Sequence, residues 1–118
     1  MTTPVSTSIT AIILNWNLPE ETIACIESLL ADGFPAQQIL VVDNGSTDGS
    51  IEKIADAITA PIQFLRSESN LGFAGGNNLG IRYALDKGAT WIWLLNNDTI
   101  APRGTLAELE RAIEAHPE

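Results

Sequence analysis

Apolar side chains fall along this chain in short blocks separated by clusters of Gly, Asn, Asp and Ser, and each block has the spacing of either a strand or a helix. Ile9 to Leu14 is apolar and β-branched and stops at Asn15-Trp16-Asn17, which predicts a strand. Pro19-Glu20-Glu21 then makes a good first helical turn, with acids at the positive end of the helix dipole. Ile23, Ile26 and Leu30 recur at helical spacing as the inward face, and Asp32-Gly33 with Pro35 stops the helix. Ile39 to Val42 is a continuous apolar block, the mark of a strand covered on both faces, and it ends at Asp43. In the turn cluster Asn44 to Ser50, Thr47 or Asp48 is placed to cap a helix carrying Ile51, Ile54, Ala55 and Ile58 inward.

The unit repeats twice more. Ile62 to Arg66 reads as a third strand; Leu71 to Gly76 leads into a helix over Asn77 to Leu85 that Gly88 ends. Trp91 to Leu95 reads as the fourth strand, with Trp91 and Trp93 better suited to burial under helices than to stacking a ligand. An amphipathic helix over Thr105 to Ala115 follows, with Leu106, Leu109 and Ile113 on one face. Strict alternation of strand and helix predicts a mostly parallel sheet inside a three-layer α/β/α sandwich. Residues 9–118 form one domain on this reading, and the polar stretch 1–8 is a flexible lead-in.

Charge narrows the partners. Six Lys and Arg against 15 Asp and Glu give a net charge of -9, which repels phosphate backbones and argues against nucleic acid or anionic membrane as a partner. A phosphate-bearing ligand then needs a metal cation or backbone N–H groups. The apolar runs fall far short of the roughly 20 residues that cross a bilayer, and Met1 to Ser8 does not resemble a signal peptide, so a cytoplasmic location without a membrane span is expected. The single Cys25 sits between apolar helical positions and reads as a core residue, and the single His116 lies near the end of the chain, which leaves little for triad chemistry.

In an open parallel sheet the loops that follow the strands gather on one edge, where ligands bind. Here those loops are Asn15-Trp16-Asn17, Asp43-Asn44, Ser67 to Asn70 and Asn96-Asn97-Asp98. Oxygen ligands of this kind suit Mg²⁺ or Mn²⁺, and Asp98 is the best ligand candidate, although an Asp after a strand also commonly caps the next turn. Asp43 either accepts an N–H or hydroxyl from a nucleoside or braces Ser46 and Thr47. Gly72 to Gly76 is either a phosphate cradle at a helix N-terminus or a site of close helix–sheet packing; it has neither the dinucleotide-binding glycine order nor the lysine of a phosphate-binding loop.

Three blocks, Ile9 to Asn17, Val41-Val42-Asp43-Asn44-Gly45-Ser46-Thr47-Asp48-Gly49-Ser50 and Leu94-Leu95-Asn96-Asn97-Asp98-Thr99, resemble family 2 glycosyltransferases of the GT-A fold over essentially the whole chain. Asn70 to Gly80 is similar to the version in rhamnosyltransferase-like members. The resemblance implies the N-terminal, nucleotide-binding part of an inverting transferase that uses a UDP- or dTDP-sugar and acts on an acceptor saccharide or lipid-linked saccharide in cell-surface polysaccharide synthesis. It places Asn15, Trp16 and Asn17 in the nucleotide pocket with Asn70, Asn77, Asn96 and Asn97, sets Asp43 on the base or ribose, and makes Asp98 the acid that contacts Mn²⁺ or Mg²⁺.

Two departures stand out: Asn96 occupies the place of the family's usual first Asp, and Asn77 the place where many members carry Arg. A metal site with one carboxylate from this motif is expected to be weaker. The resemblance also implies that the catalytic base comes from a second half of the domain, beyond Glu118, which makes the fold here incomplete and transfer by the isolated chain doubtful. Apolar surface left uncovered in that case predicts a homodimer. The rival reading is a non-catalytic nucleotide- or partner-binding module derived from the same fold.

Overall fold

The computed structural model describes residues 9–115, so the lead-in over 1–8 and His116 lie outside the described residues. The chain runs β1 (Ile9–Asn15), α1 (Pro19–Ala31), a 3-10 turn (Ala36–Gln38), β2 (Ile39–Asn44), α2 (Ser50–Ala57), β3 (Gln63–Ser67), α3 (Gly72–Asp86), β4 (Trp91–Asn96) and α4 (Thr105–Ala115). The four strands lie in the order β3-β2-β1-β4, and every pairing is parallel. The α/β reading and the strand–helix alternation are therefore as expected.

Alternation along the strands builds two cores. Ile9, Ala11, Ile13, Ile39 and Val41 face one side, where Cys25, Ile26 and Leu29 of α1, Ile54 of α2 and the half-buried Leu106 and Ile113 of α4 pack. Ile12, Leu40 and Val42 face the other, against Ala84, Leu79 and Tyr83 of α3. Three layers result, with α3 the one helix on its face among the described residues. The central strands β1 and β2 are almost wholly buried, which accounts for their unbroken apolar runs. Each fully buried Ile or Leu among them contributes ~1.5–3 kcal/mol.

Several sequence expectations need correction. The strand β2 continues through Asp43 and Asn44 instead of ending before them, so both polar side chains are held in strand geometry. The buried stripe of α1 is Thr22, Cys25, Ile26 and Leu29, while Ile23 and Leu30 are half-buried flanks. Neither Thr47 nor Asp48 caps α2; the cap position is Gly49 in the left-handed region, and Asp48 instead accepts the Ser50 hydroxyl. Ala55 faces solvent, and Ile58 is buried just past the helix end.

The helix α3 begins at Gly72, not near Asn77, so the glycine-rich stretch is its first turn. Two glycines within the helix are required sterically. A Cβ on Gly76 would come 2.6 Å from Leu14 Cδ1, and one on Gly80 would come 2.8 Å from Val42 Cγ2. Close helix–sheet packing is thus the role of Gly76 and Gly80, and it lets α3 lie directly over β1 and β2. Trp91 and Trp93 are half-buried against the first core, and the Trp93 ring tilts against Phe34 at 6.0 Å. Both sit in β4, which is an edge strand among the described residues.

Candidate functional site

Strand register sets the site. Asn15 of β1 lies beside Asp43 of β2, and Asp43 lies beside Arg66 of β3. Each sits two residues beyond a member of the first core (Ile13, Val41 and Phe64), so period-two alternation carries all three toward the α1/α2 face at the carboxyl end of the sheet. On the opposite face Asn44 lies beside Ser67 in the same way. The polar residues past each apolar run therefore form two rows rather than one ring.

The first row is a hydrogen-bonded network. Asn15 Nδ2 donates to Asp43 Oδ1 at 3.0 Å and to Ser46 Oγ at 3.3 Å. Ser46 donates its hydroxyl to Asp43 Oδ1 at 2.6 Å and its backbone N–H to Asp43 Oδ2 at 3.2 Å. Asn17, whose φ of 52° is the left-handed exception among the non-glycine residues described, donates its N–H to Ser46 Oγ at 3.0 Å and accepts the Thr47 N–H on Oδ1 at 2.9 Å. Asparagine tolerates that backbone region better than most residues. Thr22 Oγ1 donates to Asn15 Oδ1 at 2.6 Å, and Asn97 Nδ2 reaches Thr22 Oγ1 at 3.4 Å.

Asp43 is fully buried at the centre of this network, so the bracing of Ser46 is its visible work. The Arg66 guanidinium stands at its open side, 3.9 Å from Oδ2 and 3.8 Å from Glu52, with its own side chain 54% exposed. Arg66 is thus the cation at the solvent face of the buried acid.

The second row closes the other face. Asn44 Nδ2 donates to Asn70 Oδ1 and to the Gly72 carbonyl, both at 3.1 Å, and Asn44 Oδ1 accepts the Leu71 N–H at 2.9 Å. Asn70 also accepts the Gly72 N–H at 2.7 Å. The loop after β2 can press onto the loop after β3 because Gly45 has no side chain; a Cβ there would lie 2.5 Å from the Ser69 carbonyl carbon, and its φ of +80° is itself unfavourable for other residues.

Of the residues singled out from the sequence, Asn15, Asn17, Asp43 and Asn97 meet in the first network. Asn70 serves the second. Asn77 and Asn96 line a separate cavity of about 230 Å³ between α3 and β4, together with Phe73, Trp93 and Thr99. Trp16 stands 50% exposed in the loop after β1 and is free to meet a flat ring. Asp98 is exposed at the tip of the turn after β4, a turn already closed by the Thr99 N–H donating to the Asn96 carbonyl at 3.0 Å. Thr22, Ser46 and Arg66 belong to the site but were not singled out. Ser46 lies inside the quoted motif, and the end of β3 next to Asp43 points to Arg66. Thr22 gives no signal in the sequence, because a lone Thr in a helix predicts nothing.

Asp98 is a single carboxylate flanked by the amides of Asn96 and Asn97, and the described residues include no group of three His, Cys, Asp or Glu able to hold a metal ion. Such a set does not make a cage. It fits a hard cation that draws its remaining ligands from phosphate oxygens and water. Burial, with the Asp98 charge adding to it, pushes the Cys25 thiol up to about 11, so it stays protonated near neutrality and is no nucleophile. No described helix is long and apolar enough to cross a membrane.

A larger cavity of about 290 Å³ lies at the opposite end of the sheet, lined by Thr10, Gln38, Gln63, Tyr83 and Lys87 among others. The convergent polar network and the reversal of strand order between β1 and β4 both lie at the carboxyl edge, and these, rather than cavity size, mark the candidate ligand site.

The sequence matches the profile of Glycosyl transferase family 2 over residues 10–118. It is 33% identical over 92 residues to the galactofuranosyltransferase GlfT1 of Mycobacterium tuberculosis, an alignment spanning 77% of this chain and 30% of that protein. Its fold is similar to S. aureus TarS (TM-score 0.73, 23% identity, 92% of this chain and 33% of that one). It is also similar to the mannosyltransferase PcManGT of Pyrobaculum calidifontis, solved with GDP-Man and Mn²⁺ (TM-score 0.72, 21% identity, 95% of this chain and 34% of that one). At these identities the solved structures speak for the GT-A fold alone, and the chain spans about 30% of the length of the GlfT1 relative. With the profile matching nearly end to end and the motif loops gathered on one sheet edge, the chain belongs to glycosyl transferase family 2.

Proposed function

We propose that this chain forms the donor-binding part of an inverting sugar transferase, which moves a sugar from a UDP- or dTDP-sugar to a hydroxyl of a saccharide or lipid-linked saccharide in cell-surface polysaccharide synthesis. The observation that carries this reading is the row Asn15–Asp43–Arg66 at the carboxyl edge, beside the point where the strand order reverses. The exposed Trp16 offers a face to the base, beside the hydrogen-bonded loop of Asn17, Ser46 and Thr47. Asn77 and Asn96, which line the neighbouring cavity, complete the proposed nucleotide-binding set. A cytoplasmic location is part of the same proposal.

Asp98 would hold Mn²⁺ or Mg²⁺ with the diphosphate. When bound, that cation supplies neutralisation of the charge on the departing nucleoside diphosphate. Arg66 adds a fixed positive charge at an edge of a protein whose net charge is -9.

Calorimetric titration of UDP and dTDP, with and without Mn²⁺ and repeated on Asp98→Ala, tests the assignment. Binding that the cation strengthens in the wild type but not in the variant is the expected result. Absence of binding to the folded wild type would favour the rival reading of a module without donor chemistry.

A further inference from the structure

Thr22 is a fully buried hydroxyl in an otherwise apolar stripe of α1, between β1 and the turn that follows β4. A buried hydroxyl in such a stripe is costly unless it is bonded, and this one lies 2.6 Å from Asn15 Oδ1 and 3.4 Å from Asn97 Nδ2. The direction of every bond follows from Asp43. The carboxylate can only accept, so Asn15 turns its NH₂ toward it and its carbonyl oxygen toward Thr22. Thr22 Oγ1 also has the Leu18 carbonyl oxygen at 3.3 Å, but two oxygens at 2.6 Å need a proton between them, so the hydroxyl proton points at Asn15 and leaves the lone pairs for the NH₂ of Asn97.

We infer that Thr22 is a positioning residue: its hydroxyl ties the turn carrying Asn97 and Asp98 to the Asn15–Asp43 pair, so that the cation side and the nucleoside side of the edge are held in one arrangement. The inference rests on the donor-site reading for its functional meaning, but the tie itself is a property of the free protein. Asn15 ends β1 and Asn97 follows β4, the strands on either side of the reversal in strand order, and the described hydrogen bonds connect them through this one hydroxyl.

Thr22→Val keeps the shape and removes the hydroxyl; Thr22→Ser keeps the hydroxyl and removes a methyl. In nucleotide-free protein, Thr22→Val should shift the side-chain amide resonances of both Asn15 and Asn97 and raise the solvent exchange of the Asn97 NH₂, while Thr22→Ser should leave them near wild type. In the titrations, the factor by which Mg²⁺ strengthens UDP binding should fall on the order of five-fold in Thr22→Val, within the range that one coupling residue carries, and should recover in Thr22→Ser. A folded Thr22→Val whose Asn97 amide signals match wild type overturns the inference. Should Thr22→Val not fold, Asn97→Ala and Thr22→Ser decide: Asn97→Ala must move the Asn15 side-chain amide, and an unmoved Asn15 overturns the tie. If wild type binds neither UDP nor dTDP, the donor reading fails while the amide signals still decide the role of Thr22.

Discussion

Asp43 meets a full set of donors without leaving the sheet: the Asn15 amide, the Ser46 hydroxyl and the Ser46 N–H. Asp43→Asn preserves volume but sets an NH₂ against one of those donors. A buried donor without an acceptor costs about 1–3 kcal/mol, and urea unfolding should record a loss of that size together with weaker nucleotide binding. Arg66 behaves differently because its guanidinium is half-exposed and 3.9 Å away. Arg66→Ala should change stability by about 1 kcal/mol or less, yet lower nucleotide affinity, so unfolding and titration will separate a binding role from a structural one. An affinity equal to wild type would remove Arg66 from the site.

The helices show how the site is held at the right height. Gly76→Ala puts a Cβ 2.6 Å from Leu14 and 3.0 Å from the Asn44 amide. Overpacking of this kind costs about 1–3 kcal/mol, and it should loosen the Asn44 bonds to Asn70 and Gly72, seen as faster exchange of the Leu71 N–H. At the other side, Asp32 ends α1 and accepts the Gly104 and Leu106 N–H groups at 2.7 and 2.8 Å, which caps α4 from a distance. Those backbone bonds, the Leu106 one foremost, hold its carboxyl below the ordinary carboxylate value of 3.8. Because the folded value is the lower one, the stabilisation is complete above 3.8 and is lost as pH falls below it toward the folded value. Thermal unfolding from pH 5 downward should lose stability more steeply in wild type than in Asp32→Asn; identical slopes would contradict the cap. Strand and helix order, and the α4 boundaries, were legible because each apolar block keeps its period. The start of α3 was not, since glycines chosen for contact with β1 and β2 look like loop glycines in a sequence. That Asn15, Asp43 and Asn97 gather at one sheet edge was legible from their places at the ends of the apolar runs. Thr22 and Arg66 were not, because their roles come from register and from a helix packing over the sheet edge.

At the scale of the molecule, one polar edge and one exposed flank stand out. Leu94 of the edge strand β4 is 46% exposed and Phe73 of α3 60%, and both border the 230 Å³ cavity. Apolar surface of this kind favours self-association, so sedimentation velocity should show a dimer growing with concentration, and a monomer at the highest concentration would contradict it. The two cavities offer a sharper choice, since they lie at opposite ends of the strands. The most direct test of the donor site is a nitrogen-15 NMR titration of the chain with UDP and dTDP in the presence of Mg²⁺. Saturable shifts at Asn17, Ser46, Thr47 and the turn from Asn96 to Thr99 are the predicted result; shifts confined to Gln38, Tyr83, Lys87 and Gly88, around the larger cavity, would contradict it.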